Sequence, residues 1–410
     1  MLQTKNSKST ASATIQPLVS CILGIMLALS AVCAFAQNGH LHQLNYNNAS
    51  WVDSDVTSLT GGDLPQPQGI AAFTTTPNNQ LHVYYVSQNG GLHQAYFNGT
   101  SWSDENLTAV TGGTGPFAQS AVTGFSIGNA QYVYFCDGEF IHEYSYGDNA
   151  NWNWVNTVLP GGGSSGLCSG EYYGAYPVGL VAFATTPNNQ RHVYYQGTTL
   201  GNYTKPMTIR QLYFNGTTWS NENLSAASHG VKALAGSWMA GFSIGNFQYV
   251  FFTAPNGHIH QYSYVDNWAD KDVTKAASGV PSYLGEDGIA AFVVPGTTHM
   301  EVYYLAGNNY DMHQMTFESN KWSDLDLTAI TGGQPPITVS QLVAFATTPN
   351  NQFHLYYGGA NSDTWINQYY FNGSYWSEQA LPSATINGLF SGIAGFSIGN
   401  LQYVYYVSAN

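Results

Sequence analysis

Residues 69–108 read GIAAFTTTPNNQLHVYYVSQNGGLHQAYFNGTSWSDENLT, and the turn residues within this stretch decide the fold. Gly-Ile-Ala-Ala-Phe (69–73) is a short run of small and apolar residues. Thr75-Thr76-Pro77-Asn78-Asn79 separates it from Leu-His-Val-Tyr-Tyr-Val (81–86). Asn89-Gly90 is a hairpin signal and leads to Leu-His-Gln-Ala-Tyr-Phe (92–97). A second Asn-Gly pair at 98–99 leads to Trp-Ser-Asp-Glu-Asn-Leu-Thr (102–108). Four β-rich runs divided by turn formers predict four antiparallel strands. Helical periodicity is absent.

The unit recurs along the chain. Trp51, Trp102, Trp152, Trp219, Trp268, Trp322 and Trp376 follow an aromatic strand and a short turn, at gaps of 51, 50, 67, 49, 54 and 54 residues. A period near 50 is the signature of a repeat architecture. The first run returns as Ala121–Phe125, Gly179–Phe183, Met239–Phe242, Gly288–Phe292, Leu342–Phe345 and Gly392–Phe396. Its small residues suit an innermost strand crowded near an axis, and its phenylalanines (Phe73, Phe125, Phe183, Phe242, Phe292, Phe345, Phe396) belong to the core. The long links, such as Leu107–Gln119, run from the Trp strand to the next small-residue strand. The expected fold is therefore all-β: a seven-bladed β-propeller of four-stranded antiparallel blades.

The ends of the chain sharpen this. The first strands after the N-terminus, Leu41–Tyr46 and Trp51–Thr57, are a third and a fourth strand. The last, Ile393–Phe396 and Gln402–Val407, are a first and a second. One blade is thus closed by two-plus-two pairing of the N- and C-terminal strands, which leaves no open edge around the ring. Repetition is imperfect. One copy has extra residues at 160–176 and 197–208, and the turn after the first run alternates between Thr-Thr-Pro-Asn-Asn-Gln and Ser-Ile-Gly-Asn. Duplication of a blade pair explains the alternation, which breaks near residue 292.

Lys5 and Lys8 precede an apolar run from Leu18 to Ala36 that ends in Ala34-Phe35-Ala36. This predicts a signal peptide over residues 1–36, cleaved before Gln37, in preference to a membrane anchor or a lipoprotein site at Cys33. Residues 37–410 then form a single domain, secreted to an extracellular or periplasmic space. No other apolar stretch is long enough to span a bilayer. The formal net charge is −14, which argues against nucleic acid and anionic membranes as partners. Only 8% of residues are charged while 15% are aromatic, a surface suited to neutral polar ligands. Export permits a disulfide between Cys136 and Cys168, with two free thiols as the alternative.

Leu-His-Val-Tyr-Tyr (81–85), then Leu-His-Gln (92–94), then Trp102 resembles the blade of the Aleuria-type fungal fucose-specific lectins. That family forms a six-bladed propeller with sugar between neighbouring blades. An Arg from the second strand and a Glu from the third bind hydroxyls there, and an aromatic residue and the Trp of the next blade pack on the sugar's apolar face. The resemblance implies that the Arg position is held here by His82, Tyr132, His192, Tyr249, Glu301, His354 and Tyr403. The Glu position is held by Gln94, Glu143, Gln211, Gln261, Gln314, Gln368 and Gln43. The packing pairs are Phe97/Trp102, Tyr146/Trp152, Phe214/Trp219, Tyr264/Trp268, Phe317/Trp322, Phe371/Trp376 and Tyr46/Trp51. The aromatic half is kept, the Arg is absent throughout, and Glu143 alone keeps the acid. Neutral His and Gln give weaker hydrogen bonds than a charged fork, so many weak sites acting together are expected.

Three interfaces are the preferred candidates: His82 and Gln94 against Tyr146 and Trp152, His192 and Gln211 against Tyr264 and Trp268, and His354 and Gln368 against Tyr46 and Trp51. A fourth sets Tyr132 and Glu143 against Phe214 and Trp219. The expected function is secreted, multivalent, lectin-like binding of glycans or glycoconjugates, including fucosylated ones, without catalysis or cofactor. A protein-interaction scaffold is the alternative, in which the Trp column merely packs blade on blade. A glycan-cleaving enzyme would need acids outside the repeat, such as Glu171, Glu286 and Asp287. No metal site is expected, because His42, His93, His260 and His313 lie on separate blades and cannot converge on one ion; they are expected to be solvated or turn-bonding. Asp53, Asp55, Asp104, Glu105, Asp270, Asp272, Asp324 and Asp326 read as the wet face of an outer strand.

Overall fold

The computed structural model describes residues 39–408 except 48, 118–119, 149–151, 161–178, 198–205, 283–287, 308, 334, 337–340, 360–364 and 386–391. The expected signal peptide, Cys168, Glu171, Glu286 and Asp287 lie outside the described residues. Seven four-stranded antiparallel sheets account for the strands. They are numbered here as blade 1 (65–106), blade 2 (122–158), blade 3 (180–223), blade 4 (239–272), blade 5 (289–326), blade 6 (343–385) and blade 7 (393–407 with 41–55). The first strands of successive blades touch in an unbroken ring that returns from blade 7 to blade 1. The chain is a seven-bladed β-propeller.

Blade 7 is the two-plus-two closure. Leu41–Tyr46 pairs with Leu401–Val407, from Leu41 opposite Val407 to Tyr46 opposite Gln402. The first and last strands among the described residues are thereby held in one sheet. Small residues line the axis as expected. Gly124 shows the crowding: a Cβ there would sit 2.7 Å from the carbonyl oxygen of Tyr132. Ile70, Val122, Leu180, Met239, Ile289, Leu342 and Ile393 line an axial channel of ≈ 240 Å³.

Each blade is covered on both faces by its neighbours. All seven residues of Leu81–Ser87 are buried, as are those of Arg191–Gly197 and Met300–Ala306. These strands show no wet face, unlike a half-exposed antiparallel sheet.

Helices are few and short. Five one-turn helices follow fourth strands among the described residues: Val56–Thr60, Leu107–Thr111, Leu224–Ala227, Val273–Ala277 and Leu327–Thr331. Asp55, Asn106, Asn223, Asp272 and Asp326 are their N-caps, each side chain accepting from the backbone N–H three residues on. The first residue of each helix is fully buried and pins it to the blade. One turn is too short to display a 3.6-residue period, so the pattern could not announce it.

The alternating turns have a structural meaning. In blades 1, 3 and 6 the Thr-Thr-Pro turn docks on the Ser-Ile-Gly-Asn turn of the next blade. Thr76, Thr186 and Thr348 donate their N–H groups to the carbonyls of Gly128, Gly245 and Gly399, each at 3.0 Å. Ser126, Ser243 and Ser397 hydroxyls return bonds to the carbonyls of Thr74, Ala184 and Ala346 at 2.8, 2.7 and 2.8 Å. The ring is therefore three like blade pairs (1–2, 3–4 and 6–7) with blade 5 single. That single blade is why the alternation breaks near Phe292.

Candidate functional site

The candidate residues meet at the seams between blades. In the seam between blades 1 and 2, Gln94 Nε2 lies 2.8 Å from His82 Nδ1, 2.9 Å from the Tyr84 hydroxyl and 2.7 Å from Gln131 Oε1. The Tyr84 hydroxyl also donates to Gln131 Oε1. Gln131 lies on the second strand of blade 2, opposite Tyr146. The same tetrad recurs twice. Gln211 Nε2 lies 2.7 Å from His192 Nδ1, 2.9 Å from the Tyr194 hydroxyl and 2.7 Å from Gln248 Oε1. Gln368 Nε2 lies 2.8 Å from His354 Nδ1, 2.7 Å from the Tyr356 hydroxyl and 3.2 Å from Gln402 Oε1.

These tetrads are internal. His82, Gln94, His192, Gln211, His354 and Gln368 are each 2–3% exposed. Their Nδ1 atoms accept from glutamine, so the imidazoles are neutral. Burial pulls His82 and His192 down to about 4 and His354 to about 3. The structure thus brings the predicted His and Gln together, but as a closed neutral network beneath the surface. The glutamines that complete it and the tyrosines at its centre were missed from the sequence. A signal existed: Gln-Tyr-Val at 131–133, 248–250 and 402–404 occurs only in blades 2, 4 and 7.

Every seam tryptophan stands edge-on to an aromatic ring of the preceding blade. Trp51–Tyr356, Trp102–Tyr405, Trp219–Tyr134, Trp268–Tyr194, Trp322–Phe251 and Trp376–Tyr303 have centroids 6.0–6.3 Å apart at 73–83°. In blade 2 this place belongs to Trp154, 6.1 Å from Tyr84 at 77°. Trp152 is corrected accordingly: it is 54% exposed, lies over Gly147 and makes no seam contact of this kind. Asn156, two residues after Trp154, bonds His142 as Asp104, two after Trp102, bonds His93.

The residue paired with each tryptophan divides the seams. Tyr46, Tyr146 and Tyr264 stand at the three tetrad seams, while Phe97, Phe214, Phe317 and Phe371 stand at the other four. Tyr46–Trp51, Tyr146–Trp154 and Tyr264–Trp268 centroids lie 5.3–5.4 Å apart. The three tyrosines are half-buried. Their hydroxyls make no hydrogen bond among the described residues.

The other seams differ in chemistry. Between blades 2 and 3, buried Glu143 accepts from the Tyr134 hydroxyl at 2.6 Å and faces Arg191 of blade 3. Between blades 5 and 6, buried Glu301 lies 2.6 Å from His299 and accepts from Gln314 at 2.7 Å. Burial raises Glu301 and its hydrogen bond from His299 opposes that rise.

The outer histidines are neither solvated nor turn-bonding, and four of the carboxylates are drawn to them from the expected wet face. His42, His93, His260 and His313 bond Asp53, Asp104, Asp270 and Asp324 through Nδ1 at 3.1, 2.8, 2.8 and 2.8 Å. The hydroxyls of Tyr85, Tyr406 and Tyr304 donate to three of the same carboxylates at 2.6–3.1 Å. These are staples within each blade, not solvated groups. Burial alone would lower His313, but the bond and charge of Asp324 raise it overall. Among the described residues no group of His, Cys, Asp and Glu could hold a metal ion. No helix among them is long and apolar enough to cross a membrane. Cys136 is disulfide-bonded, and its expected partner Cys168 lies outside the described residues.

A closed ring of blades joined by repeated aromatic seams is a β-propeller of the kind found among lectins. The sequence matches the fungal fucose-specific lectin family over residues 29–282, more than half of its length, and the chain belongs to that family. Among solved structures, the fucose-specific lectin from Aleuria aurantia is 17% identical, with a TM-score of 0.52 over 78% of this chain and 98% of that one. A mutant of AofleA from Arthrobotrys oligospora is 14% identical, with a TM-score of 0.50 over 89% of this chain and 93% of that one. At such identities the likeness is one of fold. The Aleuria lectin is described as six-bladed, so this chain has one blade more. No curated protein matches the sequence.

Proposed function

We propose that the chain is an exported, multivalent carbohydrate-binding protein that holds sugar at blade seams and does no chemistry on it. Family membership supports a sugar ligand. The observation that carries the location is the set of half-buried rings at Tyr46, Tyr146 and Tyr264, each with a hydroxyl left unbonded among the described residues. A pyranose has an apolar face and a rim of hydroxyls, and tyrosine offers a partner for each. The tetrads beside these rings are neutral at pH 7, since His82, His192 and His354 are held at about 3 to 4, and the charged neighbour there is an acid, Glu222, which accepts from Trp268 Nε1 at 3.2 Å. Such a floor suits a neutral sugar and gives an acidic one no counter-charge. Without an ionised donor each contact is weak, and three like seams supply avidity. Export rests on residues 1–36, with Gln37 as the first residue of the exported chain.

The scaffold alternative has its own support. The edge-on packing of each seam tryptophan and the burial of the tetrads account for both columns without any ligand. A glycan array on residues 37–410 separates the two. Saturable binding to one class of neutral glycans is expected, with fucosylated glycans tried first. A blank array from folded protein at high glycan density would leave the scaffold.

A further inference from the structure

The second-strand residue paired with the Tyr or Phe that precedes the seam tryptophan faces back toward the preceding blade. It is Gln131, Gln248 and Gln402 at the three tetrad seams, and Leu81, Met300 and Phe353 at three others. In blade 3 it is Arg191, opposite Phe214. Its guanidinium carbon lies 4.4 Å from the centre of the Tyr132 ring and 4.2 Å from that of Phe214. Trp219 stands 5.5 Å away. Arg191 Nε is 3.5 Å from Glu143 Oε2, and a terminal nitrogen donates to Asp148 Oδ2 at 2.9 Å. Arg191 is 4% and Glu143 3% exposed. Two aromatic faces with two carboxylates at the rim form a receptor for a flat cation.

We propose that the seam between blades 2 and 3 is a cation cage whose occupant is the chain's own Arg191, and that a small guanidinium compound takes that place when the side chain is removed. Tyr132 and Glu143 come from one blade, Phe214 and Trp219 from the next, so the guanidinium joins the two. A buried carboxylate left without its partner is costly, which gives Glu143 a stake in the occupant. The aromatic surface is also taken, so this seam is closed to sugar; that corollary alone rests on the carbohydrate proposal.

The test is thermal unfolding of Arg191→Ala with and without millimolar methylguanidinium chloride, against equal sodium chloride and methylammonium chloride. The expected result is a melting temperature several degrees below that of the unsubstituted chain, recovered in large part by methylguanidinium only. The unsubstituted chain should not respond. An unchanged melting temperature, or a lowered one that no cation restores, overturns the cage. If Arg191→Ala is insoluble, the double variant R191M/E143Q decides. It removes both charges, and recovery of soluble, folded protein supports the cage while continued insolubility contradicts it. No glycan enters these readouts, so their failure is distinguishable from a blank array.

Discussion

Gln131 of blade 2 reaches back across the seam to Gln94 of blade 1, with Oε1 2.7 Å from Nε2. That one acceptor serves both Gln94 and the Tyr84 hydroxyl. Gln131→Leu would leave two buried donors without it. The expected cost is about 1–3 kcal/mol, seen as a lower urea midpoint at unchanged slope. Wild-type stability would show that the tetrad does not hold the seam.

Trp154 and Trp152 should behave as opposites. Trp154 is 9% exposed and packed on Tyr84, so Trp154→Ala is expected to cost about 3–5 kcal/mol. Trp152 is 54% exposed, and Trp152→Ala is expected to cost about 0.5 kcal/mol or less. Chemical denaturation of the two variants, side by side, checks the assignment.

Stability should fall in mild acid because of the tetrad histidines. Their folded values, about 4, 4 and 3, lie below the ordinary 6.5. The unfolded chain therefore takes up protons first, and the stabilisation present above pH 6.5 is lost as pH falls toward 4. At about 1.4 kcal/mol per unit, each histidine contributes on the order of 3 kcal/mol at full extent. The triple variant H82N/H192N/H354N keeps an acceptor near Nδ1 but cannot titrate. Its melting temperature should change less between pH 6.5 and 4 than that of the unsubstituted chain. Equal slopes would place the acid sensitivity elsewhere.

The ring and its closure were legible because the repeat carries them. Gly69–Phe73 recurs with its small residues, and a chain that opens on a third strand must find the first two at its other end. What lay between blades was not legible. In a strand such as Leu81–Ser87 both faces are buried, so the usual alternation cannot say which side His82 faces or that it is dry. Nor does local sequence show that Gln131 completes a network begun 37 residues earlier. Trp152 misled because its spacing from Tyr146 fits the repeat better than that of Trp154, while the loop before Trp154 is longer in this blade. The carboxylates misled for a similar reason. Asp55 and Asp53 look alike in sequence, yet one caps a helix and the other holds His42.

The central claim is that sugar binds at the three tyrosine seams. The most direct test is the number of sugars bound per chain at saturation, by equilibrium dialysis with the monovalent form of the glycan that the array selects. It should be repeated on the triple variant Y46F/Y146F/Y264F, which removes only hydroxyls. The account predicts three equivalents for residues 37–410, and affinity weakened roughly three- to tenfold in the triple variant, the loss of one neutral hydrogen bond per site. A different number of equivalents, or an affinity untouched by the three substitutions, would contradict it.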